Sequence, residues 1–202
     1  MAAPIRVCFF GDSFVNGTGD DACLGWVGRA CATARRNGVD LTCYNLGIRG
    51  DTSADLAVRW EREAHARLLP EHDGRLVFSF GANDCCLRED TGEVRVPQGQ
   101  TLANANAILA SARAWCPTLM VGPLPVCVPD VDARIADVST ALRELCGSLG
   151  VPYLEVFHHA ASSAVWRSEV AAGDGAHPNA IGYGLVSDAV QAWAPWRSWA
   201  TP

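Results

Sequence analysis

The sequence predicts an α/β fold built on a parallel sheet with helices on both faces. Three observations carry that expectation. Short, nearly continuous apolar runs recur along the chain, longer amphipathic stretches separate them, and the order is strand then helix, repeated. Runs without polar alternation suit strands covered on both faces. With 202 residues, 49% of them hydrophobic and 19% charged, a single domain over residues 1–202 can bury a sizeable core.

The first strand is expected at Arg6 to Phe10, followed by a helix from Trp26 to Asn37 that Gly38 stops in a left-handed cap. A second strand, Leu41 to Asn45, leads to a helix from Ser53 to Leu69, capped by Asp51 or Thr52. The third strand is Leu76 to Phe80. Arg88 to Gln100 is polar, holds Gly92, Pro97 and Gly99, and reads as a loop before a helix from Thr101 to Trp115. Leu119 to Gly122 and the helix Asp132 to Leu149, ended by Gly150, form the fourth unit. Tyr153 to Val156 and the helix Ala180 to Trp193 form the fifth, with Pro178 expected in that helix's first turn. The tail Trp193-Ala-Pro-Trp196-Arg-Ser-Trp199 is expected to lie against the domain.

Composition excludes several functions. The net charge is −6 and basic residues are scattered, so no nucleic-acid partner is expected. No apolar stretch is long enough to cross a bilayer. Met1 to Pro4 is followed at once by Ile5-Arg6-Val7-Cys8-Phe9-Phe10, which reads as a strand rather than a signal peptide. Nine cysteines without zinc spacing read as reduced, mostly buried thiols, and a cytoplasmic location is expected.

Open parallel sheets bind ligands beyond the carboxyl ends of their strands. Ser13, Gly50 and Asn83 each fall just past such an end. Ser13 follows Gly11-Asp12, where a glycine permits a tight turn exposing the serine; alone, Gly-Asp-Ser equally fits an N-cap serine. Asp12 reads as a turn residue. His177 follows Asp174 by three residues, with Gly173 and Gly175 freeing the loop to bend back. The carboxylate can then accept from Nδ1–H and leave Nε2 facing a serine. The same residues also fit an Asx turn with a capping histidine. His158 and His159 are rivals without an acid at comparable loop spacing. Gly50 N–H, near a helix N-terminus, and the Asn83 side-chain amide could both donate to an oxyanion; each also fits a plain turn.

Four blocks then stand in order: Gly11-Asp12-Ser13, Asn45-Leu-Gly-Ile-Arg-Gly50-Asp51-Thr52, Gly81-Ala-Asn83-Asp84, and Asp174-Gly-Ala-His177-Pro-Asn179. With these blocks the chain resembles the SGNH (GDSL) hydrolase family over nearly its whole length. Phe14 stands where the family's name motif has leucine. Val15 replaces the last glycine of a Gly-x-Ser-x-Gly elbow, which disfavours an ordinary α/β-hydrolase. The resemblance implies a flavodoxin-like α/β/α sandwich with a five-stranded parallel sheet of order 2-1-3-4-5. It implies Ser13 as nucleophile, His177 as base and Asp174 as its orienting acid. It implies Ser13 N–H, Gly50 N–H and the Asn83 side chain as oxyanion donors, and neither metal nor organic cofactor.

The expected activity is hydrolysis of small, soluble, short-acyl esters through an acyl-serine intermediate. An acyltransferase with the same acyl-enzyme, or a non-catalytic binding module on the fold, are the alternatives. Gly17-Thr18-Gly19-Asp20-Asp21-Ala22 mimics a phosphate loop, but its two carboxylates would repel a pyrophosphate. Phe14, Trp26, Ile48, Leu87, Pro125 and Val126 are candidates to line an acyl pocket, and each fits interior packing equally well.

Overall fold

The computed structural model describes residues 4–200. Five strands, β1 (Ile5–Gly11), β2 (Leu41–Gly47), β3 (Asp73–Ser79), β4 (Thr118–Val121) and β5 (Tyr153–Leu154), form one sheet in the order β2-β1-β3-β4-β5. Every pairing is parallel. Helices α1 (Ser13–Asn16), α2 (Gly25–Arg36), α3 (Ser53–His65), α4 (Gln98–Trp115) and α5 (Pro129–Leu149) follow the first four strands. After β5 come α6 (Phe157–Ser162), α7 (Ala164–Ala172), α8 (Ala180–Ala192) and α9 (Ala194–Arg197). The three-layer α/β/α fold and its strand order are those the sequence led one to expect.

The five expected strands and five long helices are all present, with shifted ends. The second long helix, α3, stops at His65 rather than Leu69, its end tightened by the N–H groups of Arg67 and Leu68, which both donate to the Ala64 carbonyl. Its start is fixed by a capping box between Thr52 and Asp55, so Thr52 rather than Asp51 is the cap. The expected loop Arg88 to Gln100 yields its last three residues to α4 and folds its tip into a small hairpin, bridged between Leu87 and Val94. Pro178 lies outside α8: the cap is Asn179, whose side chain accepts from Ala180 N–H at 2.7 Å. Helices α6 and α7 fill a stretch for which the sequence carried no expected element; Ser163 caps α7 by accepting from Trp166 N–H.

Two aromatic clusters lock the layers together. On one side Phe9 meets Trp26 edge-on at 5.8 Å and Trp196 at 5.9 Å, so the tryptophan-rich tail seals the core. Phe10, Phe78 and Trp60 form the second cluster, which anchors α3.

The register brings the strand ends level. Gly11 of β1 lies opposite Gly47 of β2 and Ser79 of β3. A Cβ at position 11 would sit 1.9 Å from the Ser79 carbonyl oxygen, and one at position 47 would sit 2.3 Å from Asn16 N. Both glycines are therefore demanded by close backbone approach, which lets α1 press onto the ends of β1 and β2. The sequence suggested Gly11 for a tight turn that exposes the serine; close backbone approach is what calls for it, and Ser13 is buried.

Candidate active site

Ser13 is the first residue of α1 and is buried. Asp12 caps that turn, its Oδ1 accepting from Phe14 N–H at 2.9 Å. Burial pushes the Asp12 carboxyl up to about 7, and the nearby carboxylates of Asp84 and Asp51 add to the push. As expected, Asp12 is a turn residue. Its side chain shapes the backbone of the serine turn.

His177 comes from the loop between α7 and α8 and is only 8% exposed. Its Nε2 lies 2.7 Å from Ser13 Oγ, and its Nδ1 lies 2.8 Å from Asp174 Oδ2. With Nδ1–H donating to the carboxylate, Nε2 is left as an acceptor for the Ser13 hydroxyl. The other Asp174 oxygen accepts from the backbone N–H groups of Ala176 and His177, at 3.0 and 2.9 Å. An Asx turn and a side-chain contact to imidazole thus coexist. The turn is the device that aims the second oxygen at the ring. Partial burial pushes Asp174 up, but the His177 and Ala176 amides and the imidazole outweigh it and hold the carboxyl down at about 2.

The ring is held from two further sides. Phe14 lies against it at 5.0 Å between centroids. Behind it runs Gly19, where a Cβ would meet His177 Cβ at 2.9 Å and the Pro178 carbonyl oxygen at 2.8 Å. The loop that mimics a phosphate-binding sequence is thus the back wall of the histidine. Its Asp20 is fully engaged, accepting from the N–H groups of Ala22, Leu24 and Gly25 and paired with Arg29.

Gly50 sits in a turn closed by Asp51 N–H donating to the Ile48 carbonyl at 3.1 Å. Its φ is +86°, as the third residue of a type II turn requires. A Cβ there would meet nothing within 4 Å, so backbone conformation, not crowding, calls for glycine. The N–H groups of Gly50 and Ser13 have no acceptor among the described residues. Asn83 opens a short 3₁₀ turn (Asn83–Cys85) and donates one amide hydrogen to the Asp51 carbonyl at 2.9 Å, leaving its second hydrogen free. Asn83 and Gly50 are thus tied into one unit.

That unit has supports that sequence reasoning missed. Arg95 Nη2 donates to the Gly50 carbonyl at 2.8 Å. Arg59 donates from Nε to Asp51 at 2.7 Å and from Nη2 to the Gly11 carbonyl at 3.1 Å. Asp84 is fully buried and accepts from Ser53 N–H at 2.9 Å and Thr101 Oγ1–H at 2.8 Å, with Ser53 Oγ–H as a third donor. It fastens the Asn83 turn to the start of α3. Arg49 Nη2 donates to Asp174 Oδ2 at 3.1 Å.

The rival histidines are elsewhere: His158 and His159 are exposed on α6, and His158 faces Glu155 at 3.2 Å. The proposed acyl-pocket residues divide. Trp26 is sealed in the core against Phe9 and cannot meet a ligand. Phe14 is buried between His177 and Trp166, and the Pro125 carbonyl accepts from the Trp166 indole at 3.3 Å. Val126 is partly buried; Ile48 and Leu87 are exposed.

The parallel sheet of order 2-1-3-4-5, with its strand ends level, defines a three-layer α/β/α hydrolase of the flavodoxin-like kind, with its polar groups gathered beyond the carboxyl ends of the strands. A family comparison matches residues 9–185 to the GDSL-like Lipase/Acylhydrolase family, and the chain belongs to that family. It is a carboxylic ester hydrolase. Among solved structures the chain is similar to LAE5, described as an alpha/beta hydrolase enzyme from the metagenome of Lake Arreo, Spain. That match has 19% identity and a TM-score of 0.78, covering 100% of this chain and 99% of that one. It is also similar to Axe2, an acetylxylan esterase from Geobacillus stearothermophilus, at 16% identity and a TM-score of 0.77, with 96% of each chain covered. A lipase/acylhydrolase from Enterococcus faecalis matches at 21% identity and a TM-score of 0.76, covering 95% of this chain and 96% of that one. No curated protein matches by sequence. No helix among the described residues is long and apolar enough to cross a membrane.

Proposed function

We propose that Ser13 is the nucleophile of a serine esterase acting on short-acyl esters. Ser13 Oγ attacks the ester carbonyl while His177 Nε2 takes its proton. The negative charge that forms on the carbonyl oxygen is received by Ser13 N–H, Gly50 N–H and the free hydrogen of the Asn83 amide. The carbon–oxygen bond to the alcohol then breaks, and the alcohol leaves with the proton from His177. Water repeats the sequence on the acyl-serine, releasing the acid and restoring the serine. Asp174 stays ionised throughout and stabilises the imidazolium.

The observation that carries this reading is the unbroken hydrogen-bonded chain from Ser13 Oγ through His177 to Asp174, at 2.7 and 2.8 Å. Short acyl groups are favoured because the large apolar side chains near Ser13 are used to pack the interior. Phe14 fills the space behind the serine turn and Trp26 lies in the core. The similarity to an acetylxylan esterase is in keeping with an acetyl-sized acyl group. Nine free thiols, five of them buried, fit a reducing compartment such as the cytoplasm.

A series of p-nitrophenyl esters tests the proposal. Turnover should peak at two to four acyl carbons and vanish in a folded Ser13→Ala protein. A maximum at long chains would contradict the short-acyl preference, and activity in Ser13→Ala would remove the serine from the chemistry.

A further inference from the structure

We propose that Glu169 is a positioning residue for the base: it fixes the loop that carries Asp174 and His177, and through that loop sets the imidazole on Ser13. This deepens, and rests on, the reading of Ser13 and His177 above. Glu169 lies half-buried near the end of α7, just before the loop and outside the four blocks that carry the family resemblance. Its carboxylate reaches across to the start of α8. Oε2 accepts from the N–H groups of Asn179 and Gly182 at 2.9 and 2.7 Å, and Oε1 accepts from Ile181 N–H at 3.2 Å. A carboxylate on the unpaired amides of a helix N-terminus makes charge-assisted bonds that also suit the helix dipole.

The loop between these anchors has little packing of its own. Residues 171–175 are exposed, and Gly173 and Gly175 are among them. At the entry, Gly173 N–H donates to the Glu169 carbonyl at 3.0 Å and Gly175 N–H to the Val170 carbonyl at 3.1 Å. At the exit, the Glu169 side chain takes the Asn179 N–H. One residue of α7 thus closes the loop from both ends, by its backbone and by its side chain. The fit at the exit is close. A Cβ at position 182 would lie 2.9 Å from Glu169 Oε2 and 2.5 Å from Pro178 Cβ. Gly182 therefore leaves room where the carboxylate packs beside the proline that follows His177. Asn179 is the junction. Its N–H goes to Glu169, and its side chain pairs with Asp21, Nδ2–H donating at 2.7 Å and Oδ1 accepting from Asp21 N–H at 3.2 Å. Glu169 makes no bond to Ser13 or to the imidazole among the described residues, so its effect has to pass through the loop. Removing the carboxylate would leave three N–H groups without that acceptor and free the exit. Misplacement of the imidazole by about 1 Å is enough to cost on the order of 10² in rate.

The test is a double-mutant cycle read as the rate at which a fluorophosphonate labels Ser13. It compares wild type, Glu169→Gln and Glu169→Ala, each with His177 and with His177→Ala, below the melting temperature of every variant. With His177 present, Glu169→Ala should slow labelling on the order of 10²-fold, and Glu169→Gln, which keeps one acceptor oxygen, by less. In the His177→Ala background both changes should cost less than about twofold, because no imidazole remains to be placed. A residue that only stabilises the fold would lower the melting temperature and leave the rate on folded protein unmoved, and that result would overturn the inference. Equal losses in both backgrounds would overturn it too, since the effect would then fall on the serine turn itself. Should Glu169→Ala fail to fold, Glu169→Gln decides by the same cycle. Wild-type protein labelled no faster than His177→Ala would instead overturn the reading of the Ser13–His177 pair, and the inference with it.

Discussion

The guanidinium of Arg95 donates to the carbonyl of Gly50 at 2.8 Å, joining the hairpin after the Asn83 turn to the loop after β2. Asn83 holds the next carbonyl, that of Asp51, at 2.9 Å. Two successive peptides are thus pinned from one neighbouring segment, which fixes the turn that carries the free Gly50 N–H. Arg95 is accordingly a positioning residue. Arg95→Ala should lower kcat about tenfold, the scale of losing one charge-assisted bond, with little change in KM. Arg95→Lys should recover part of the loss. A rise in KM at constant kcat would show that Arg95 meets substrate instead.

Gly50 permits a sharper test of the same turn. In type II geometry the central peptide, which bears the Gly50 N–H, is rotated by roughly 180° from its type I orientation. A side chain at position 50 meets no steric obstacle, so the penalty of Gly50→Ala is the left-handed φ of +86° alone. Alanine should favour the flipped peptide and cost about 10² in kcat, the typical loss of one oxyanion donor. Gly50→Asn, which tolerates that φ, should retain more activity at similar thermal stability. Equal activity in both variants would detach the Gly50 N–H from the reaction.

Gly19 should be as sensitive, for its φ of +89° and for crowding as well. A Cβ at that position would lie 2.9 Å from His177 Cβ and 2.8 Å from a carbonyl oxygen, closer than real contacts allow. Gly19→Ala should push the imidazole off Ser13 and lower kcat by on the order of 10², because misplacement of about 1 Å suffices for such a loss. The measurement is kcat alongside the melting temperature. A folded, fully active Gly19→Ala protein would contradict this role.

Asp12 gives a stability prediction. Its folded-state pKa is raised to about 7 by burial, against an ordinary carboxylate value near 3.8. Between these values the folded protein binds more protons than the unfolded chain. Stability therefore falls as pH rises from about 4 to about 7, by on the order of 4 kcal/mol at most for a shift of this size. Asp12→Asn keeps an oxygen for Phe14 N–H and abolishes the titration. Urea melts at pH 4, 5.5 and 7 should show the variant gaining on wild type as pH increases. A pH-independent difference would mean that Asp12 is already ionised at pH 4.

Much of this was legible in the chain. The strand-then-helix rhythm announces itself through local periodicity, and the resemblance supplied the strand order. Ser13 and the Asp174–His177 pair are also local signals, because a strand-end turn and an Asx turn each need particular residues in a row. Contacts to backbone carbonyls are not legible in this way. Arg95 and Arg59 reach across 45 and 48 residues to carbonyls that no residue type marks. Trp26 fits pocket lining and core packing alike by residue type, and only its contact with Phe9 places it in the core. Gly11 and Gly50 look alike in sequence, yet one serves close approach and the other a positive φ.

The central claim is that Ser13 Oγ is activated by His177 for attack on an acyl carbon. The most direct measurement is labelling with a fluorophosphonate followed by peptide mapping, in wild type and in His177→Ala. The account predicts a single adduct on Ser13 that forms rapidly in wild type and at least about 10³-fold more slowly without the imidazole. An unmodified Ser13, or labelling at the same rate in both proteins, would contradict it.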